Sequence, residues 1–207
     1  MSLKNWYKNV VNFNDNKTGG WATIYYGVFS KVIEDNNYKK VAEVGIGYGT
    51  HAKYILKNNV NIEQLYLIDP TKYYPNDSFA EDIMNQTPEI PGNNFEELYT
   101  LICNELDPWK NNYTWFRTES LNITNEQISS ESLDAVFIDG DHTYNAVLAD
   151  LNFWWNKVRT GGQILGDDYW IDTVKNAVIE FAKQKNLTYD LLTLPNNSYQ
   201  IYRFHKN

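Results

Sequence analysis

The sequence predicts a three-layer α/β fold in which helices cover both faces of a mostly parallel sheet. Short apolar runs alternate along the chain with segments whose apolar residues recur at helical spacing, and this pattern is typical of parallel sheets. The first of these runs ends in a glycine-rich turn at 45–49. The last two runs, 189–195 and 199–204, are separated by Asn and Ser and predict a hairpin, so the final strand is expected to be antiparallel.

Size favours one domain. The chain has 207 residues, enough for one α/β core and few for two, so we expect a single domain over 1–207. Outside the core pattern we expect an N-terminal extension and helix over 1–40 and an insertion or lid over 70–112. The polar segment 1–18 and the Pro- and Asn-rich segment 70–94 show no clear period, so the pattern leaves their conformation open.

Charge and cysteine content limit the functional classes. The formal net charge of -8 disfavours a nucleic-acid partner, which would need clustered Lys and Arg, and favours a small-molecule substrate. There is no run of 18 apolar residues and no basic, apolar leader, so we expect no membrane partner and a cytoplasmic location. Cys103, the only cysteine, is expected to be a small buried hydrophobic residue. The oligomeric state, including a homo-oligomer, stays open.

Apolar periodicity divides the rest of the chain into elements. Helices are predicted at 21–36, 51–58, 95–106, 144–158 and 172–185. Strands are predicted within 41–50, 65–69, 113–118, 133–142 and 163–169. Residues 160–162, which include two glycines, are expected to end the fourth of these helices. His51 is expected to be a solvated residue in the first turn of its helix.

Residues 41–50, VAEVGIGYGT, predict a buried strand that runs into a tight turn and then a helix. Gly45, Gly47 and Gly49 lack side chains, so the backbone of this turn could come close to a nucleotide-type ligand. The glycine spacing is G-x-G-x-G, whereas a dinucleotide-binding turn would have G-x-G-x-x-G. A purely structural turn after a buried strand is the alternative.

The second apolar run, 65–69, ends in an acid. Asp69 lies 24 residues after Gly45, close to the spacing at which an acid at the end of the second strand binds ribose hydroxyls. The ligand-binding interpretation therefore applies to Asp69 as well as to the glycine turn. The alternative is an acid that caps the turn before Pro70.

Acidic residues also follow two later strands. The segment LDAVFIDGDH ends in a turn that contains Asp139 and His142, and the segment QILGDDY contains Asp167 and Asp168. Successive parallel strands end at one edge of a sheet, so these carboxylates would be neighbours there. Hard oxygen ligands of this kind suit Mg²⁺. The alternatives are a turn with a helix N-cap at the first segment and solvated loop acids at the second.

The glycine turn, the acid-ended second strand, FIDGDH at 137–142 and GDD at 166–168 together resemble class I S-adenosylmethionine-dependent methyltransferases. They are most similar to the macrocin and mycinamicin type of metal-dependent sugar O-methyltransferases. The resemblance implies a Rossmann-like seven-stranded sheet and S-adenosyl-L-methionine as the cofactor. The cofactor contacts that it implies are Glu43, Gly45, Gly47, Gly49, Asp69, Ser120 and Asp139.

The same resemblance implies a chemistry. It implies a Mg²⁺ site at Asp139, Asp167 and Asp168. The more distant catechol O-methyltransferases have an Asn at the position of Asp168. His142 matches the position of the general base in the sugar enzymes, and Asp139 is implied to be catalytic as well. The implied reaction is methyl transfer to a hydroxyl of a small molecule or sugar, such as a vicinal diol. The alternatives are a relative with another reaction, of the cephalosporin hydroxylase type, and a non-catalytic cofactor-binding protein.

Overall fold

The fold is that of a computed structural model, which describes residues 3–16, 21–72, 95–193 and 200–207. In these residues the helices are α1 (Leu3–Asn16), α2 (Trp21–Asn36), α3 (Thr50–Asn58), α4 (Phe95–Leu106), α5 (Tyr144–Trp155) and α6 (Asp172–Lys185). The strands are β1 (Lys40–Val44), β2 (Gln64–Ile68), β3 (Tyr113–Phe116), β4 (Leu133–Ile138), β5 (Val158–Gly166), β6 (Asp190–Thr193) and β7 (Gln200–His205). Short 3-10 turns at Asp107–Trp109 and Ser120–Asn122 flank β3.

The strands of the described residues form one seven-stranded sheet in the order β3-β2-β1-β4-β5-β7-β6. Parallel pairing extends from β3 through β2, β1 and β4 to β5. Only β7 runs the other way among these strands, because it is antiparallel to both β5 and β6. The predicted class, a mostly parallel Rossmann-like sheet with an antiparallel C-terminal strand, is confirmed.

The sheet separates two apolar cores. On β4, Ala135 and Phe137 belong to the core beneath α1, α2, α3 and α4, whereas Val136 and Ile138 belong to the core beneath α5 and α6. Successive side chains of a strand point to opposite faces, so one strand contributes to both cores. Because both faces are buried, β4 is a continuous apolar run rather than an alternation of apolar and polar residues.

Helix α1 forms where the sequence pattern left the conformation open. Leu3, Trp6, Tyr7 and Val11 are buried and recur at helical spacing, so one face of the helix packs on the core. The hydroxyl of Tyr7 donates to the carbonyl oxygen of Tyr48 at 3.1 Å. Helix α1 is therefore packed against the glycine turn.

One helix boundary and one strand boundary differ from the predictions. The helix expected over 144–158 ends at Trp155, and residues 160–162 lie inside β5 instead of ending that helix. The pairing of β4 with β5 shifts register in this region. A Cβ atom on Gly162 would lie 2.5 Å from the carbonyl oxygen of Asp134. Glycine is therefore needed here for a bulge at which two strands approach closely.

Three further expectations concern the burial of Cys103, two segments between elements, and membrane-spanning helices. The helix predicted over 95–106 is α4, and Cys103 on that helix is half-buried, not fully buried as expected. Residues 73–94 of the expected insertion or lid, and residues 194–199 at the turn of the expected hairpin, lie outside the described residues. No helix in the described part of the chain is long and apolar enough to cross a membrane.

Candidate active site

The turns that follow three strands meet at the carboxyl edge of the sheet. The amide of Gly45, after β1, donates to β2 at 2.9 Å. The amide of Asp139, after β4, donates to β1 at 2.8 Å, and the amide of Asp167, after β5, donates to β4 at 3.1 Å. These bonds align the starts of the three turns. Open α/β sheets bind their ligands at this edge.

The glycine turn has a left-handed backbone. The φ angles of Gly45, Gly47 and Gly49 are 78°, 49° and 72°. A Cβ atom on Gly45 would overlap the carbonyl oxygen of Asp139, and one on Gly49 would lie 2.5 Å from the side chain of Ile102. The packing of the protein itself therefore requires glycine at both of these positions. Gly45 in particular allows the turns after β1 and β4 to touch.

Asp69 is bound to the glycine turn. One carboxylate oxygen accepts a hydrogen bond from the amide of Ile46 at 3.0 Å. The other accepts from the amide and the hydroxyl of Thr71, at 2.6 and 3.0 Å. Burial raises the pKa of Asp69, and these amides oppose that effect. A carboxylate offers about four acceptor positions, so most are already used by the protein. The structure gives Asp69 a turn-supporting role, and its ribose contact stays a prediction.

A buried acid and imidazole lie next to the turn. Glu43 on β1 is 1% exposed, and its Oε1 lies 3.0 Å from Nδ1 of His51 at the start of α3. Burial raises the pKa of Glu43, because a charge is costly away from water. The His51 ring packs edge-on against Phe137, with 4.9 Å between the ring centroids. The expectation of a solvated His51 is therefore wrong. Its spacing of four residues from buried Ile55 is the signal that sequence reasoning missed.

His142 lies between two carboxylates. Its Nε2 is 2.6 Å from Oδ2 of Asp168 and 3.7 Å from Oδ1 of Asp139. One ligand atom from each of the three residues lies within 4.8 Å of the other two, a spacing at which they could hold a metal ion. Asp139 and Asp168 raise the pKa of His142 to about 10, because both stabilise the imidazolium. We call these three residues the acidic cluster.

Backbone and side-chain bonds hold the acidic cluster in position. Asp168 has a φ angle of 55°, which residues other than glycine seldom adopt. Its Oδ1 accepts a hydrogen bond from the indole N–H of Trp170 at 2.8 Å. At the start of α6, the hydroxyl of Thr173 donates to the carbonyl oxygen of His142 at 2.6 Å. This last bond ties the turn after β4 to the turn after β5.

Asp167 is not one of the three residues of the acidic cluster. Its side chain is buried, and it is not in the group of possible metal ligands found among the described residues. The predicted ligand set was Asp139, Asp167 and Asp168, whereas the structure brings Asp139 and Asp168 together with His142. The role of Asp167 as a third metal ligand stays a prediction.

Ser120 is engaged with helix α5. Its hydroxyl donates to Oδ1 of Asp150 at 2.5 Å and accepts the indole N–H of Trp154 at 2.8 Å. Asp150 is 6% exposed, and burial raises its pKa to about 6. Sequence reasoning missed Asp150, although its spacing from buried Val147 and Trp154 places it on the apolar face of the helix. The adenine contact of Ser120 stays a prediction.

The candidate site lies within a part of the chain that matches a known protein family. The sequence pattern that defines the family described as "Methyltransferase domain" matches residues 42–169, which is more than half of the chain. The chain belongs to the methyltransferase-domain family. The matched range includes the glycine turn, the end of β2, Ser120 and the turns after β4 and β5. The matched range therefore contains every residue that the sequence resemblance assigned to cofactor or metal binding.

One relative of this methyltransferase-domain chain is the uncharacterized protein R132 of Acanthamoeba polyphaga mimivirus. The two proteins are 34% identical over 80 residues, a stretch that covers 33% of this chain and 36% of the viral protein. The methyltransferase-domain chain thus matches about a third of the length of this relative, and the match does not extend to the viral protein as a whole.

Solved structures share the fold of this methyltransferase-domain chain. The O-methyltransferase NovP has a TM-score of 0.61 at 17% identity, over 86% of this chain and 76% of NovP. A candidate caffeoyl-CoA O-methyltransferase from Staphylococcus aureus has a TM-score of 0.63 at 13% identity, over 99% and 93% of the two chains. Spermidine synthase from Thermotoga maritima has a TM-score of 0.55 at 15% identity, over 89% and 60%. At these identities the likeness shows the fold alone.

The side chains of the methyltransferase-domain chain fit the cofactor that its family implies, S-adenosylmethionine. Burial raises the pKa of Glu43, His51 opposes this effect, and Asp139 and Asp69 add to it, so three acidic residues lie close together at the glycine turn. Such charge suits a cofactor with a sulfonium and an ammonium group. The carboxylates of Asp139 and Asp168 are ligands that Mg²⁺ prefers, so the acidic cluster fits this metal by its chemistry.

Proposed function

We propose that the protein is an S-adenosylmethionine-dependent, Mg²⁺-assisted O-methyltransferase that acts on a hydroxyl of a small molecule or sugar. The observation that carries this proposal is the acidic cluster at the carboxyl edge of the sheet, in a chain of the methyltransferase-domain family. The cluster combines metal-binding oxygens with an imidazole that can transfer a proton. A cytoplasmic location belongs to the same proposal.

The glycine turn is the proposed cofactor site. S-adenosylmethionine held there would supply a methyl group on a positively charged sulfur. Gly47 has a left-handed backbone, and its lack of a side chain would let a ligand come close to the turn. Asp69 supports the shape of the turn through the amide of Ile46, and Glu43 is buried next to it with His51. Ser120, in the 3-10 turn after β3, is proposed to border the adenine.

Asp139 and Asp168 are the proposed metal ligands, with Asp167 as a proposed third. Mg²⁺ held by them would supply positive charge, which lowers the pKa of an acceptor hydroxyl and offsets the two carboxylates beside His142. In its neutral form His142 would accept the proton of the acceptor hydroxyl at Nε2. Asp139 would both bind the metal and orient the imidazole of His142.

The fold contributes alignment to the proposed reaction. Thr173 holds the backbone of His142, and Trp170 holds the carboxylate of Asp168. The amide of Asp139 is bonded to β1, the strand that leads into the glycine turn. The backbone of His142, the carboxylate of Asp168 and the backbone of Asp139 are therefore each held by a hydrogen bond. Methyl transfer depends largely on how well the reacting groups are aligned, so such bonds favour turnover.

The position of His142 favours one alternative. Its Nε2 lies within the acidic cluster, and imidazole is a frequent ligand of transition metals. His142 as a metal ligand would suit a relative with another reaction, of the cephalosporin hydroxylase type. The further alternative is a non-catalytic protein that binds the cofactor only. Both alternatives predict no methyl transfer to a panel of sugars and vicinal diols in the presence of Mg²⁺.

Two variants separate the metal site from the base. Asp168→Ala is expected to abolish Mg²⁺-dependent methyl transfer while cofactor binding, measured by calorimetry, persists, because the glycine turn is unchanged. His142→Ala is expected to retain Mg²⁺ binding and to lower turnover by about 100- to 10,000-fold, the usual contribution of a positioned base. Its turnover should recover in part at high pH, where the acceptor hydroxyl ionises without help.

His205→Ala is the matched control, because His205 lies on β7 and pairs with Asp190. This variant should keep normal turnover. Loss of Mg²⁺ binding in His142→Ala would make His142 a metal ligand and favour the alternative reaction. Full activity of His142→Ala at neutral pH would contradict its role as the base.

A further inference from the structure

The hydroxyl of Ser120 is held by two side chains of helix α5. Ser120 is half-buried in the 3-10 turn after β3, so part of it is open to solvent. A serine hydroxyl has one proton to donate and two lone pairs that accept. The proton goes to Oδ1 of Asp150 at 2.5 Å, and one lone pair accepts the indole N–H of Trp154 at 2.8 Å. What remains for a ligand is one acceptor position and no donor.

Asp150 lies where an acid is costly to the fold. It is 6% exposed, and the charged group that acts on its pKa is another acid, Asp141. In the part of the chain that the structure describes, its carboxylate bonds with Ser120 and not with a Lys, Arg or His. A buried charge without a cation is unfavourable, and acids in such positions are common at functional sites. Burial raises the pKa of Asp150 to about 6, so at neutral pH the carboxylate is ionised and can only accept.

A series of close approaches joins Asp150 to the glycine turn. A Cβ atom on Gly45 would lie 2.8 Å from Cα of Gly140, and one on Gly140 would lie 3.9 Å from Oδ2 of Asp150. The other carboxylate oxygen of Asp150 bonds to Ser120. The glycine turn, the turn after β4 and the turn after β3 are therefore linked in this order through one carboxylate. A cofactor held at the glycine turn could extend along this line to Ser120.

We propose that Asp150 is a positioning residue that makes the Ser120 hydroxyl a hydrogen-bond acceptor only, so that the cofactor site selects a purine with a 6-amino group over one with a 6-carbonyl group. This inference rests on the proposed function, because the base belongs to a cofactor bound at the glycine turn. The 6-amino group of adenine donates, whereas the 6-carbonyl group of hypoxanthine accepts. Two acceptors that face each other both lack a partner, so the oxygen of Ser120 rejects hypoxanthine.

The test compares S-adenosylhomocysteine with S-inosylhomocysteine, in which hypoxanthine replaces adenine. Calorimetry on the whole protein measures the Kd of each compound. The parent should bind the adenosyl compound more than about fivefold more tightly, the effect expected when one hydrogen bond to the base is replaced by two opposed acceptors. The ratio of the two Kd values is the readout, because a purely structural change would weaken the binding of both compounds equally.

Asp150→Leu and Ser120→Ala should both remove most of this preference. Asp150→Leu replaces the carboxylate with an apolar group of similar size, so the proton of Ser120 is free to turn toward a carbonyl group of the ligand. Ser120→Ala removes the oxygen itself, and it gives the same readout if Asp150→Leu fails to fold. Ser132→Ala is the matched control, because the Ser132 hydroxyl bonds to the carbonyl oxygen of Ser129 in the loop before β4. It should leave both affinities unchanged.

The inference is overturned if the parent binds the two compounds within about fivefold of each other. It is also overturned if a folded variant at Asp150 or Ser120 keeps the preference of the parent. In both cases the proposed cofactor binding would still stand. Binding of neither compound would refute the proposed function together with the inference. A preference that depends on Asp150, without methyl transfer to any hydroxyl compound, would refute the proposed reaction and leave the selection of the base intact.

Discussion

The protonation of His142 depends on the two carboxylates beside it. Asp139 and Asp168 raise its pKa to about 10, so the imidazole is cationic at neutral pH when no metal is bound. A raised pKa stabilises the folded state fully below the unfolded value of about 6.5, and this stabilisation is lost as the pH rises through about 10. A general base, in contrast, must be neutral. The proposed mechanism therefore requires the metal to change the protonation of His142.

Nuclear magnetic resonance can follow this change. We expect the His142 ring to titrate near pH 10 in metal-free protein, and to titrate at a lower pH when Mg²⁺ is added, because bound positive charge cancels the effect of the carboxylates. His142→Gln identifies the resonance, and the exposed ring of His205 is the internal control. An unchanged His142 titration at saturating Mg²⁺ would mean that no metal binds beside it.

Gly45 is required by contact between two turns, and this predicts a stability effect. Gly45→Ala should lower the free energy of unfolding by more than about 2 kcal/mol, because its Cβ would overlap the carbonyl oxygen of Asp139 at a φ of 78°. Gly27→Ala is the matched control, since Gly27 lies within α2 and its Cβ would be 3.6 Å from the Tyr54 hydroxyl. That variant should be more stable by up to about 1 kcal/mol. Urea unfolding of both variants measures the difference, and equal effects would contradict the argument.

At the scale of elements, helix α5 carries an acid on its buried face. Asp150 bonds with Ser120 in the 3-10 turn after β3, so the helix and this turn are joined through a carboxylate. Burial raises the pKa of Asp150 to about 6. An acid with a raised pKa destabilises the folded state above that pKa, and the cost disappears below the unfolded pKa of about 4. The charge at this position is thus a cost to stability at neutral pH.

Asp150→Asn removes the charge and keeps an acceptor for Ser120. We expect this variant to be more stable than the parent by about 1 to 3 kcal/mol at pH 8, from a pKa shift of about two units, and equally stable near pH 4. Asp190→Asn is a contrasting control, because Arg203 holds the pKa of Asp190 below its usual range and its neutralisation should destabilise the fold. Urea unfolding across the pH range gives both results. A gain for Asp150→Asn that does not change with pH would contradict the burial argument.

At the scale of the whole molecule, the proposed site is built from turns that belong to several strands. The turn after β1 bonds to β2, the turn after β4 bonds to β1, and the turn after β5 bonds to β4. These bonds exist only in the folded chain. A cofactor that binds across the turns therefore binds the folded state and not the unfolded chain, which couples ligand binding to global stability.

Thermal unfolding measures this coupling. S-adenosylhomocysteine at about 100 times its Kd should add about 2.7 kcal/mol of stability, which raises Tm by roughly 5 to 10 °C for a chain of this size. Gly47→Val places a branched side chain at a φ of 49° beside the proposed ligand, so this variant should show no increase in Tm on ligand addition. Its Tm without ligand controls for folding. An equal increase in the parent and the variant would exclude the glycine turn as the binding site.

The sequence by itself determined the architecture and the edge of the sheet that carries the site. Apolar periodicity distinguished strands from helices, since buried strands of a parallel sheet are continuous apolar runs. Glycines and acids directly after such runs marked the carboxyl edge, as Gly45, Asp139 and Asp168 show. These features are local, because they depend on backbone conformation and on the spacing of residues within one element. The match to the methyltransferase-domain family agrees with them.

Only the tertiary structure decided which side chains meet. His51 and Asp150 are buried because other elements cover them, and Asp69 bonds to the turn after a different strand. His142 lies with Asp139 and Asp168 in one group of possible metal ligands, and the sequence pattern did not predict that His142 would be part of it. Burial and side-chain contacts arise between residues distant in the chain, so spacing along one element cannot determine them.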